Sequence, residues 1–371
     1  MRWLLALLIF IATAAEECFA AAANEVSISL VGSIDNHKRV NFVLHSDGAT
    51  LAGYAKTLEY DINKPHWVIH PVKGTIDAQG KITLTQYLRK RREGTYKGKL
   101  ISRNVFIGTF QEVASKDPPL PCLLRSVADA GALGVGKNGI IVTEHRYLIM
   151  RGNADEMRNK EEVNLPIVSG LVDRKIVSKI QRAFRVSNRN GATFSELLCG
   201  PDTMSVSYDV DYNKNYLLDL DITFDGVSAY DWRSTHHSLI DLRTGKRLLA
   251  KDVFLPSALG KVQKLASIEM RREAKKAVKD YSDLSGIEAS ERQSGLNYLR
   301  DEIAQHSFSR KDLNYFAVGD EGITFIYEWD FPHVSRCFEP SGLFFVPYTA
   351  LRPYIQKDGP LAAVIAPSKT K

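Results

Sequence analysis

The chain has 371 residues, 44% of them hydrophobic, and a net charge of +6, which excludes a single small domain and points to two or three with sizeable cores. The charge is uneven. Residues 21–116 hold 14 Lys and Arg against 8 Asp and Glu, whereas residues 117–371 hold 34 against 33, so the basic character belongs to the N-terminal region.

Residues 1–20 read as an export signal: Arg2 precedes an apolar run over residues 3–15, and small residues follow at 20–23. That run is shorter than the roughly 20 residues a membrane span needs. Cleavage after Ala20 or Ala23 is expected, and with it a periplasmic protein. Glu16 and Glu17, ahead of Cys18, argue against lipid attachment there. In an oxidising compartment the remaining Cys122, Cys199 and Cys337 allow one bridge and one spare thiol in three pairings. Cys199 with Cys337 is the pairing expected, since each lies beside a strand and Cys122 lies in a Pro-rich connector. No C-x-x-C occurs, which leaves redox and zinc roles without support.

Residues 24–114 read as a basic all-β domain. Alternation at Val26-Ser27-Ile28-Ser29-Leu30, Val40-Asn41-Phe42-Val43-Leu44 and Lys81-Ile82-Thr83-Leu84-Thr85 marks strands, and Asp47-Gly48 and Gln79-Gly80 mark turns. Gly53, Gly74, Gly94, Gly98 and Gly108 recur near strand ends, as in a small meander sheet or up-and-down barrel. Arg89, Lys90, Arg91 and Arg92, with Lys97, Lys99 and Arg103, form the strongest surface signal. Such clusters attract anionic partners. Tyr87, Tyr96 and Phe106 lie among them, but export turns the expectation from nucleic acid to an anionic envelope surface or acidic glycan.

Residues 115–160 read as a linker and a poorly defined connection, since Pro118, Pro119 and Pro121 fix an extended course. Short strands are expected at 139–143 and 147–150. A helix is expected over 165–184, where Val168, Leu171, Val172, Ile176, Ile180 and Phe184 recur three or four apart. Residues 208–254 read as strand, turn, strand, with a turn at Thr244-Gly245-Lys246 and a last strand into Asp252-Val253-Phe254. Helices are expected over 259–281 and 288–305. Residues 315–351 read as a further strand pair, joining the first stretch in one antiparallel sheet. The α+β domain spans 161–356, and residues 357–371 read as a disordered tail.

Candidate chemistry is sparse. Gly131 to Asn138 approaches a phosphate loop, but Asn138 stands where Ser or Thr is needed. Asp209, Asp211 and Asn213 alternate as in a calcium loop, yet Lys214 stands where the turn needs Gly, so alternating acids on an exposed strand face explain them. His66 with His70, and His236 with His237, lack ligand-spaced partners and read as surface histidines; no metal or cofactor is expected. Asp219, Asp221, Asp231, Asp241, Glu328 and Asp330 could supply a facing pair for glycan cleavage. No Gly-x-Ser-x-Gly occurs.

Asn164-Leu165-Pro166, Ser205 to Val210, Leu218 to Phe224, Ser238 to Lys246, Asp252-Val253-Phe254, Phe316, Asp320 to Glu328 and Phe345 to Leu351 carry a resemblance over about residues 164–354. They resemble the exported domain pair found next to a peptidoglycan deacetylase and in the lysozyme-sensing anti-sigma-V factor. The resemblance implies an α+β fold, antiparallel sheet packed by helices, that binds at the cell wall and is not itself catalytic. Trp329 to Cys337 departs from the family pattern, so its partner-binding surface does not transfer. Lysozyme is cationic, and a basic N-terminal domain would oppose its approach. The expected function is an exported binding protein for peptidoglycan or a wall-active protein such as lysozyme. The alternatives are a glycan hydrolase using paired carboxylates and an envelope scaffold on anionic lipid.

Overall fold

The computed structural model describes residues 26–61, 64–101, 104–126, 138–150, 160–171, 173–185, 193–199, 202–228 and 230–365. The residues expected to form an export signal, Arg103, most of the Gly131 to Asn138 segment and residues 366–371 of the tail lie outside them. The chain divides into two compact units. One runs to Val177 and adds Pro201–Ser207 and Asp225–Tyr230; the other takes Ser178–Gly200, Tyr208–Phe224 and Asp231 onward.

The first unit is built on a closed eight-stranded antiparallel barrel: β1 (Val26–Ile34), β2 (Lys38–Ser46), β3 (Thr50–Asp61), β4 (Lys64–Ile76), β5 (Lys81–Leu88), β6 (Arg91–Ile101), β7 (Val105–Glu112) and β8 (Leu120–Ser126). Each strand pairs with the next, and β1 closes on β8 with Gly32 opposite Leu124. Alternation puts Leu30, Val40, Phe42, Leu44, Leu84 and Leu124 inside, where they are buried. The Phe42 and Tyr96 rings meet edge to face, centroids 4.8 Å apart. Eight strands leave an interior that side chains just fill, and these do.

Closure needs close backbone approach. A Cβ on Gly98 would lie 2.6 Å from the Cα of Gly108, its cross-strand partner, so no larger residue fits without a shift. One polar chain enters the barrel. The Tyr96 hydroxyl donates to Gln86 (2.7 Å), the Gln86 amide to Glu93 (2.8 Å), and His70 pairs with Glu93 (2.8 Å) and Thr57 (3.0 Å). His70 is therefore interior, a correction to its reading as a surface histidine. His66 is exposed. The prolines at 118–121 join β7 to β8 within the barrel, where sequence reading placed a linker between domains.

Next come β9 (Ile141–Met150) and β10 (Lys160–Ser169), paired antiparallel along their length. The expected helix over 165–184 is corrected: its first third is β10, and only Arg174–Ala183 is helical (α1). Gly170, at φ +91°, turns the chain out of the strand, and the Asp173 carboxylate then accepts from the Lys175 N–H at 2.7 Å as an N-cap. After α2 (Phe194–Cys199) come β11 (Thr203–Lys214), β12 (Leu217–Val227), β13 (Asp231–Asp241) and β14 (Lys246–Arg247). The hydrogen-bonded order is β14-β13-β12-β11-β10-β9, with β10 parallel to β11 at Glu162–Ser205 and Val163–Val206. Strands β11 and β12 each lend one end to either unit.

In the second unit, α3 (Ala250–Val253) replaces the strand expected at 252–254, because the Asp252 carboxylate reaches back to the Leu249 N–H (3.0 Å) and closes a helical turn. Helices α4 (Leu259–Ser282) and α5 (Ala289–Ala304) lie within a residue of the expected spans. Val262, Ala266, Met270 and Ala274, four apart, form the buried stripe of α4. It packs in the core with β15 (Phe316–Val318), β16 (Gly322–Ile326) and β17 (Leu343–Pro347), followed by the short helices α6 (Tyr348–Leu351) and α7 (Ala362–Ile365). Strands β15 to β17 form their own antiparallel sheet, so the expectation of one continuous sheet is also corrected. Among the described residues no helix is long and apolar enough to cross a membrane.

Candidate functional site

The second unit carries a cleft of about 660 Å³. Strand β13 supplies its floor from Trp232 to Ser238, β12 adds Asp221 and β14 adds Arg247. The other wall brings Tyr315, Glu328, Asp330, Arg336 and Glu339.

His236 and His237 are neighbours on β13, so they face opposite sides of the sheet. Both are buried, at 5% and 8% exposure, which overturns their reading as surface histidines. His236 stacks among Phe194 and Phe224, ring centroids 6.2 and 5.2 Å away. His237 meets the acids of β12. Its Nδ1 shares a 2.7 Å bond with Asp221, while its Nε2 bonds the Phe316 carbonyl at 2.7 Å and lies 3.0 Å from Asp219. Asp219, fully buried, also accepts from the Val318 N–H at 2.8 Å. Burial opposes a charge on His237, but the Asp219 and Asp221 carboxylates outweigh it and hold the imidazole pKa well above its ordinary value. The group is an imidazolium clamp tying β12, β13 and β15 together.

Asp211 of β11 joins from the side. One donor atom each of Asp211, Asp221 and His237 lies within 4.8 Å of the others. The residue as a whole is exposed, yet its carboxyl is partly shielded; burial, then the nearby Asp221 and Asp219 charges, pushes its pKa to about 6, with His237 pulling the other way.

Arg247 donates to the His237 carbonyl at 3.1 Å, and its guanidinium sits 5.9 Å from the Tyr315 ring centre. Burial lowers its pKa without making it neutral at physiological pH. Glu339 accepts from the Trp329 and Asp330 N–H groups, both at 3.1 Å. Burial pushes its carboxyl above the ordinary range, against the pull of those bonds. Cations and acids thus line the cleft together with Trp232 and Tyr315.

Of the acids proposed for glycan cleavage, Asp221, Glu328 and Asp330 line this cleft. Asp219 is closed inside the clamp, Asp241 holds the Arg243 guanidinium at 2.9 Å, and Asp231 is exposed at the start of β13. Asp209 and Asp211 occupy an exposed strand face, as their alternation suggests. Arg247, Arg336 and Glu339 were missed, because nothing in their local sequence distinguishes them from surface charges.

The basic residues of the barrel do not form one cluster. Arg89 and Lys90 are the tip of the β5–β6 hairpin, with φ +46° and +70°, and Arg91 and Arg92 open β6. Lys97 and Lys99 are exposed further along β6, a strand about 33 Å long at 3.3 Å per residue. Cys337 carries an exposed free thiol, and Cys122 is buried in the barrel with its thiol pKa pushed up by burial. The Cys199 side chain lies outside the described residues.

No family model matches the chain. No curated protein matches it either. Among solved structures it is similar to a member of the DUF3298 family from Bacteroides fragilis, at 12% identity and a TM-score of 0.43, over 62% of this chain and 99% of that one. It is also similar to a DUF3298 family protein from Pseudomonas aeruginosa, at 14% identity and a TM-score of 0.36, over 58% and 93%. Both scores lie below 0.5, so the reading of the cleft rests on its own geometry.

Proposed function

We propose that the protein is an exported, non-catalytic binding protein of the cell envelope. Its second unit takes a wall component in the β13 cleft: peptidoglycan, or a wall-active protein such as lysozyme. The observation that carries this is the composition of the cleft. Arg233, Arg247 and Arg336 line it together with Asp221, Glu328, Asp330, Glu339 and Trp232. A ligand bearing carboxylates, amines and sugar rings, as wall glycan with its peptides does, would find a partner for each group there. The resemblance of residues 164–354 to the domain pair of the deacetylase and the anti-sigma-V factor supports the same reading, and the leader-like residues 1–20 support a periplasmic location.

The bonding of the acids also favours binding over catalysis. Both nitrogens of His237 are engaged, and Asp221 is tied to it. A general base needs a free lone pair within reach of its proton. The hydrolase alternative draws on Glu339, whose raised pKa beside Glu328 and Asp330 is the property a general acid requires.

One preparation tests both. The processed protein is mixed with purified peptidoglycan sacculi and, separately, with lysozyme, and released muropeptides are measured. Retention on either partner without release, lost in Arg247→Ala with Arg336→Ala, is expected. Release of muropeptides that stops in Glu328→Gln or Glu339→Gln would replace the binding reading with the hydrolase.

A further inference from the structure

The barrel has one end unlike the other. By register, the β5–β6 tip, the β3–β4 tip and the β7–β8 connection all lie at the end where β6 begins. Every large hydrophobic side chain exposed on the described barrel lies toward this end: Trp67 and Ile69 on β4, Leu88 closing β5, Val113 beyond β7 and Leu120 opening β8. Monomeric surfaces scatter such residues singly, and their segregation to one place marks a contact surface. On the β1–β2 side of this end the barrel is covered by β9, where the Glu144 N–H donates to the His37 carbonyl at 3.0 Å; the exposed set belongs to strands β4 to β8.

The charges there are equally one-sided. By sequence position Lys64, Arg89, Lys90, Arg91, Arg92 and Lys116 outnumber Asp61, Glu112 and Asp117 there, while Glu93 is taken up by His70 and Gln86. Among the described residues Arg89, Lys90 and Arg91 have no acidic partner, and Arg92 donates to Thr95 at 2.8 Å. A soluble polyanion needs only the cations. Leucine, valine and tryptophan set among them suit the boundary of a bilayer, where apolar side chains enter beneath the headgroups and Lys and Arg meet lipid phosphates.

We propose that this end of the barrel, with Leu88 and the Arg89 to Arg92 tip at its centre, docks on an anionic lipid surface. The contact is reversible: a few cations and a few apolar side chains attach a protein far more weakly than a spanning helix. It is independent of the cleft, so either reading can fail without the other.

The test is co-flotation with vesicles of phosphatidylcholine alone and of phosphatidylcholine with phosphatidylglycerol. The chain used begins at Ala21, so the leader contributes nothing and every described residue is kept. Binding is expected only to the anionic vesicles, weakening steeply with salt. Arg89→Ala with Lys90→Ala should lower the partition coefficient roughly thirtyfold. Leu88→Ser, on an exposed side chain, should lower it as well while leaving binding to a soluble polyanion such as heparin unchanged. Thermal melts matching the parent confirm that the variants are folded. Absence of binding to anionic vesicles would overturn the proposal. So would equal binding to heparin with vesicle binding indifferent to Leu88→Ser, which would mark the tip as a site for soluble anionic glycan.

Discussion

His237 shows how one residue changes role with its surroundings. In the sequence it is half of a histidine pair; in the fold it is a buried cation between Asp219 and Asp221. Removing one partner of such a group leaves a buried charge uncompensated, at a cost of about 3–5 kcal/mol. His237→Ala should therefore lower the stability measured by urea unfolding by that order. Because the folded pKa of His237 lies above the unfolded one, its contribution is fully present below the unfolded value and is lost as pH rises through the folded value. The parent should thus lose stability in the alkaline range, and His237→Ala should lack that loss. Asp211 behaves in the opposite sense to the usual salt-bridged acid. Its pKa is raised to about 6, so the folded state loses stability as pH climbs from the unfolded value through 6. Asp211→Asn should flatten the stability profile across that window and leave the protein at least as stable at neutral pH; a steeper profile would show that the Asp211 charge is favourable.

At the scale of elements, backbone chemistry decided more than hydrophobic period. Residues 163–168 contain apolar positions compatible with a helix, yet pairing with β9 from Lys160–Met150 to Ser169–Ile141 holds them extended. Gly170 and Asp173, a turn residue and a cap in the middle of the expected helix, were the signal that it begins later. In the barrel the glycines are positions of contact. Gly98 and Gly108 face each other across β6 and β7, with no room for a side chain between their backbones. Gly98→Ala should cost about 1–3 kcal/mol through the shift it forces, read as a lower melting temperature of the barrel; an unchanged melt would show that the strands can spread there freely.

For the whole molecule, two clusters of buried side chains share no residue, one inside the barrel and one around β15 to β17 and α4. Separate cores are expected to lose cooperativity with each other. Calorimetry should resolve two transitions. Leu84→Ala in the barrel and Phe325→Ala in the second core should each cost about 2–5 kcal/mol and move different transitions; one transition shifted by both would show a single cooperative unit.

The sequence alone determined what depends on near neighbours. Alternation gave the barrel strands, the spans of α4 and α5 were expected to within a residue, and Asn215 with Tyr216, both at positive φ, fits the tight turn between β11 and β12 expected from the strand-turn-strand pattern. Tertiary structure decided what depends on residues far apart. Closure of the barrel sets Leu30 against Ser126, so the Pro-rich stretch became a loop inside one unit. The clamp joins His237 to a carbonyl 79 residues away, and Asp219 to an N–H 99 residues away. Periodicity records which face of a strand a side chain takes, but not which distant strand will meet that face. For that reason Asp221, Glu328 and Asp330 could be named from the sequence, while Glu339, Arg247 and Arg336, which line the same cleft, could not.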